Sequence, residues 1–163
     1  MQNTYHKDLI KDLLEGKLPW ETLKSIMSSP KDEDRFEKVL EIEQEKVSWT
    51  EKIIFPIAEH LYIVKKGEEK LIKCSCGFEY GSYLKNWKES ALVYERNPQD
   101  GEVFVGPRAC DPEWMVLREF YCPGCGTQLE VESVPPGYPF IFDFLPDLDG
   151  LELQRKQVMR GSE

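Results

Sequence analysis

Apolar positions first recur at helical spacing and then switch to alternation. Leu9, Ile10, Leu13 and Leu14 form one stripe that Gly16 ends, and Leu23, Ile26 and Met27 form another after Pro19 and Trp20. Residues 4–28 are therefore predicted as two short helices. Ser29-Pro30-Lys31-Asp32 reads as a third helix start, with Ser29 as N-cap, Pro30 at the first helical position and Asp32 resembling a capping box. That helix runs to about Lys46 and carries Phe36, Val39, Leu40 and Ile42. Its other face holds Glu37, Lys38, Glu41, Glu43 and Glu45 and reads as solvated, not as a cation site.

Beyond Lys46 the period changes. His60-Leu61-Tyr62-Ile63-Val64 and Lys70-Leu71-Ile72-Lys73 predict a hairpin that turns at Lys66-Gly67-Glu68. Leu84, Trp87, Ala91 and Leu92 predict a helix over Tyr83 to Tyr94, and Asn97 to Pro112 reads as a loop. Trp114 to Tyr121 and Leu129 to Glu132 look extended. In Pro135 to Pro146 the prolines forbid a helix and disfavour a central strand, yet the segment holds Tyr138, Phe140, Ile141, Phe142, Phe144 and Leu145. Such a segment either wraps its own core or lies on another subunit. After Leu153 the chain is polar, and Arg160 to Glu163 should fray. The expected class is α+β: a helical region over 1–50, a β module with a helical insert over 51–134, and an extended docking tail over 135–163.

The chain has 163 residues, 40% of them apolar, enough to build a core. Its net charge of −9 opposes nucleic-acid binding, because a polyanion would have to be met against overall repulsion. Ile53 to Ala58 and Leu61 to Val64 are far shorter than the roughly 18–20 apolar residues that span a bilayer, so no membrane is expected. The first residues show no basic stretch followed by an apolar run, which makes the cytoplasm the expected compartment.

In a reducing compartment clustered thiols more often bind metal than form disulfides. Cys74-Ser-Cys76-Gly and Cys122-Pro-Gly-Cys125-Gly are two such pairs, each followed by a glycine that permits positive φ beside the sulfurs. Four thiolates suit a tetrahedral Zn²⁺ that is closed to substrate and therefore structural. Iron would accept the same set, and a redox dithiol at Cys122 and Cys125 is the weaker reading because the residues after Cys125 are strand-like. The arrangement expected is a zinc ribbon with a long insert, and Cys110 is a free thiol outside it. The chain contains no phosphate-binding loop and no nucleophile elbow. His6 and His60 read as ordinary residues, and Asp143, Asp147 and Asp149 have no evident acid partner, so no catalytic residue is assigned.

Long ordered blocks carry a further signal. They include Asp12-Leu-Leu-Glu-Gly-Lys-Leu18, Lys52-Ile-Ile-Phe-Pro56, Cys74-Ser-Cys-Gly-Phe78, Asn86-Trp-Lys-Glu-Ser-Ala91, Arg118-Glu-Phe-Tyr-Cys-Pro-Gly-Cys-Gly-Thr127 and Tyr138-Pro-Phe-Ile-Phe-Asp-Phe144. With these the sequence resembles, over roughly residues 8–150, the gamma subunit of the biotin-independent, ATP-dependent ketone carboxylases acting on acetone and acetophenone. The resemblance implies a non-catalytic chain that binds zinc through Cys74, Cys76, Cys122 and Cys125 and packs on large catalytic subunits, which use the ATP and bicarbonate. Where acetone-type chains carry His after the first Cys-Gly pair, this chain has Phe78, which tilts the reading toward an aromatic ketone. The competing function is a zinc-ribbon module in transcription or RNA handling, served by Lys65, Lys66, Lys70 and Lys73 but interrupted by Glu68, Glu69 and Glu79.

Overall fold

A computed structural model describes residues 4–96 and 111–160. Of the expected loop, residues 97–110, with Cys110, lie outside the described residues. Three helices come first: α1 (Lys7–Leu14), α2 (Trp20–Ser28) and α3 (Arg35–Lys46). Gly16, at φ 67°, ends α1 in a left-handed turn, with Gly16 N–H on the Leu13 carbonyl and Lys17 N–H on that of Asp12. Helix α3 begins later than its proline signal suggests. Ser29 does not cap it; the Ser29 hydroxyl donates back to the Ser25 carbonyl at 2.7 Å. The buried Asp32 instead draws Arg35 Nε to 2.6 Å and Lys38 Nζ to 3.2 Å, and these ion pairs set the first turn. The carboxylate face of α3 is paired: Lys7 reaches Glu41 and Glu45 at 3.0 and 2.7 Å. Glu43 is buried and accepts from Tyr62 Oη at 2.7 Å.

The strands make two antiparallel sheets. The first is β1 (Lys52–Ala58), β2 (Leu61–Lys66), β3 (Glu69–Cys74) and β4 (Glu79–Ser82), in that order. The predicted hairpin is β2–β3, and its turn uses Gly67 at φ 64°. Pro56 is tolerated because β1 is an edge strand. Leu61 to Val64 are all buried, since this sheet is covered on both faces. Tyr62, Val64, Ile53 and Leu71 pack toward Leu40 of α3, while Leu61, Ile63, Ile72 and Cys74 pack toward Trp87, Phe120, Cys122 and Leu148.

The second sheet is β5 (Leu92–Arg96), β6 (Val116–Tyr121) and β7 (Gln128–Val134). The helix expected over Tyr83 to Tyr94 is absent. A single 3₁₀ turn, Trp87–Ser90, forms instead, capped by the Asn86 side chain, and Leu92 to Arg96 then pairs with β6. Only Trp87 of the supposed apolar stripe is buried; Leu84 and Leu92 are exposed. Strand pairing offered Leu92-Val93-Tyr94 a full ladder that a short, half-polar helix could not match.

Residues 135–146 run as an irregular strap over the second sheet. Arg118 Nη2 donates to the Tyr138 carbonyl at 2.7 Å, and Asn86 Nδ2 to that of Phe140 at 3.1 Å. The Phe140 ring lies 5.4 Å from Phe120 and 4.8 Å from the Arg118 guanidinium, and Phe144 lies 5.6 Å from Phe55 of the first sheet. The strap thus covers its own core with one side. On the other, Tyr138, Ile141 and Leu145 stay 43–56% exposed. The polar tail is not extended: Leu148–Arg160 forms α4, begun where the Asp147 carboxylate accepts from Gly150 N–H at 2.9 Å. Leu148 is buried in the core, and Arg155 pairs with Glu37 over the Phe36 ring.

Candidate metal centre

Two loops of like form deliver the thiols. Cys74 ends β3, where its N–H bonds the Phe78 carbonyl at 2.9 Å and Gly77 N–H bonds the Cys74 carbonyl at 2.8 Å. Cys122 follows β6 and repeats the pattern with Thr127 at 2.9 Å and Gly126 at 2.8 Å. The second loop is one residue longer (122–127 against 74–78), as its wider cysteine spacing requires. Gly77 and Gly126, at φ 101° and 72°, hold backbone that a side chain would strain. Gly124 is needed for space, since a Cβ there would lie 3.2 Å from Cys76 Sγ and 3.0 Å from Phe78 Cβ.

The fold brings all four predicted sulfurs within 4.8 Å of one another. Cys74 Sγ is 3.9 Å from Cys125 Sγ and Cys76 Sγ is 3.7 Å from Cys122 Sγ. These separations are far too long for disulfides. They match the edge of about 3.8 Å of a regular tetrahedron with ligand bonds of about 2.3 Å. Cys74 and Cys122 are buried, and Cys76 and Cys125 are at the surface. Burial pushes the Cys74 thiol up to about 12 and raises that of Cys76. The Thr127 hydroxyl, 3.1 Å from Cys125 Sγ, draws that thiol down to about 7. Gly124 N–H donates to Cys122 Sγ at 3.4 Å. Four soft sulfurs, one of them already accepting a backbone N–H, fit a tetrahedral metal ion.

Other candidate residues have structural partners. His6 caps α1, and the His60 ring lies 3.5 Å from the Ser75 hydroxyl, outside the sulfur cluster. Asp143 pairs with Lys88 at 3.0 Å, Asp147 starts α4, and Asp149 pairs with Lys70 at 3.0 Å. Sequence reasoning missed the groups around the cluster. Trp49 Nε1 donates to the Ser75 carbonyl at 3.1 Å, and Phe78, Tyr80 and Trp87 stack edge-on at 5.0 and 5.8 Å between successive ring centres. The buried cations Lys88 and Arg118 were missed as well. The aromatic run Phe78-Glu-Tyr80 directly after the first pair was the available signal for the rings. Nothing in the sequence marks a lysine as buried.

The profile of the acetone carboxylase gamma subunit family matches residues 47–156, which span both sheets, both cysteine loops and the strap. The chain belongs to the acetone carboxylase gamma subunit family. Among the family's relatives, the acetone carboxylase gamma subunit of Xanthobacter autotrophicus is 41% identical over 150 residues, 90% of this chain and 89% of that one. The acetophenone carboxylase beta subunit of Aromatoleum aromaticum is 37% identical over 89 residues, 50% of this chain and 67% of that protein. Among the described residues of this gamma-family chain, no helix is long and apolar enough to cross a membrane.

Proposed function

We propose that this chain is the small, non-catalytic subunit of an ATP-dependent ketone carboxylase in the cytoplasm. It holds one Zn²⁺ at Cys74, Cys76, Cys122 and Cys125 and stabilises the assembly of large catalytic subunits, which use ATP and bicarbonate. The observation that carries this reading is the 41% identity to an acetone carboxylase gamma subunit, spread over 90% of the chain. The substrate class is a methyl ketone, acetone or acetophenone, since relatives are named for both. Four thiols fill a tetrahedral shell and leave no position for substrate, which makes the ion structural, the ordinary role of zinc in a four-cysteine site. The nucleic-acid reading loses its basic cluster: Lys66 pairs with Glu79 at 2.8 Å, Lys70 with Asp149 at 3.0 Å and Lys73 with Glu51 at 2.6 Å.

An affinity-tagged chain expressed in its natural host is expected to bring down large subunits. Their complex should consume ketone, ATP and bicarbonate, and the isolated chain should hydrolyse no ATP. Hydrolysis by the pure chain that a point change in it abolishes would overturn the assignment.

The docking surface in this proposal is the outward side of the strap. Phe140 also packs inward on Phe120, so the informative positions are the exposed Ile141 and Leu145. Replacing both with Ser should weaken assembly by about 2 kcal/mol or more if they sit centrally in an interface. Metal content and the melting temperature of the free chain should hold. Normal pull-down of the large subunits by that variant would place the interface elsewhere.

A further inference from the structure

Tyr80 stands in β4 with its ring edge-on between Phe78 and Trp87, at 5.0 and 5.8 Å. It is nine-tenths buried, and its hydroxyl oxygen is fully enclosed without a hydrogen-bond partner. Buried hydroxyls are nearly always satisfied, and one left unmade is costly. Cys122 and Cys74 belong to the same buried cluster as Tyr80. A neutral thiol is a weak acceptor, whereas a thiolate bound to a metal carries charge that a donor can stabilise. Cys122 already takes one N–H from Gly124 at 3.4 Å, and Cys125 has the Thr127 hydroxyl at 3.1 Å. Within the buried cluster that holds Cys122, the Tyr80 hydroxyl is an enclosed donor without a partner.

We propose that the Tyr80 hydroxyl donates a hydrogen bond to the Cys122 sulfur when that sulfur ligates the metal, making Tyr80 a positioning residue of the metal centre. The inference rests on the metal reading above. Outer-shell donors orient their ligands and set how firmly the ion is held. An orphaned hydroxyl and a donor predict opposite outcomes for Tyr80→Phe, which keeps the ring and both ring contacts. Loss of an orphan leaves metal retention unchanged or better. Loss of a donor weakens it.

The test uses the full chain loaded with Zn²⁺ for release kinetics and with Co²⁺ for spectroscopy. Tyr80→Phe should release Zn²⁺ to a chelator about tenfold faster or more. It should also shift the sulfur-to-cobalt charge-transfer band. Tyr62→Phe serves as the control for general loosening, because it loses a buried hydrogen bond to Glu43 at 2.7 Å with no sulfur in it. It should leave the cobalt band in place. An unchanged band and release rate in Tyr80→Phe would overturn the role of Tyr80 alone, as would an equal shift in Tyr62→Phe. Failure of the unaltered chain to take up Co²⁺ would overturn both this inference and the metal reading.

Discussion

Replacing Cys122 with Ser should remove the metal and with it the ordered join between the two sheets. Cys122 has no exposed surface and sits with Cys74 in the larger core cluster, so in the proposed site its sulfur would be ligand and core atom at once. The two loops come from strands β3 and β6, and 45 residues stand between Cys76 and Cys122 (positions 77 to 121). A structural zinc contributes about 10–16 kcal/mol in isolated finger peptides, as large as the roughly 5–15 kcal/mol by which a whole domain is stable. The second cluster, built on Leu40, Ile53, Tyr62, Val64 and Leu71, contains no ligand and should keep residual structure on the helical side. Elemental analysis should give one metal ion per unaltered chain and none in Cys122→Ser, with loss of the cooperative thermal transition. Chelation of the unaltered chain should do the same. Cys110→Ser should keep its metal. A Cys122→Ser chain that still carries stoichiometric metal, or a Cys110→Ser chain that has lost it, would show the ligand set to be wrong.

Lys88→Met is expected to be the most damaging change away from the sulfurs. The Lys88 side chain is wholly buried, with Glu130 at 2.6 Å, Asp143 at 3.0 Å and Glu132 at 3.4 Å. Deleting the buried ammonium leaves three partly exposed carboxylates facing one another, with the cost of a broken buried pair, about 3–5 kcal/mol, as its upper range. For a chain of this size that is a drop in Tm of about 6–20 °C. Because Asp143 belongs to the strap, the strap should loosen first, read as faster proteolysis within residues 135–146. Burial alone would lower the lysine pKa, but the hydrogen bonds the ammonium donates to Glu130 and Asp143 outweigh it and hold it above its ordinary value of 10.5. A raised pKa means that this stability is fully present below 10.5 and is lost as pH rises through the folded value. The gap in Tm between the two proteins should therefore be constant through neutral pH and narrow only in strong alkali. Equal melting temperatures at neutral pH would mean that the cluster contributes nothing net.

The sulfur cluster was legible because its constraint is local. Two short cysteine spacings, each closed by a glycine, specify loops that aim both thiols one way whatever lies between them. The helices over 4–28 and the β2–β3 hairpin were legible for a similar reason, since apolar period and turn glycines act within a few residues. The α3 start was misread because Ser29-Pro30 is a strong local signal, whereas the buried ion pairs of Asp32 depend on packing. The segment over Tyr83 to Tyr94 misled more fully. Leu84, Trp87, Ala91 and Leu92 fall at helical spacing, and only the waiting edge of β6 makes Leu92 to Arg96 a strand.

Three things about this chain were thus set by sequence alone: an α+β class, four thiols in two matched loops, and a net charge of −9. Tertiary structure decided which side of the strap faces inward, that Lys88 and Arg118 are buried cations, and that the Tyr80 hydroxyl is enclosed without a partner in the cluster that holds Cys122. The division comes from range. Turn chemistry and periodicity act between neighbours, while the burial of a charge or a hydroxyl is settled only when strands distant in sequence close around it, as β5, β6, β7 and the strap do here.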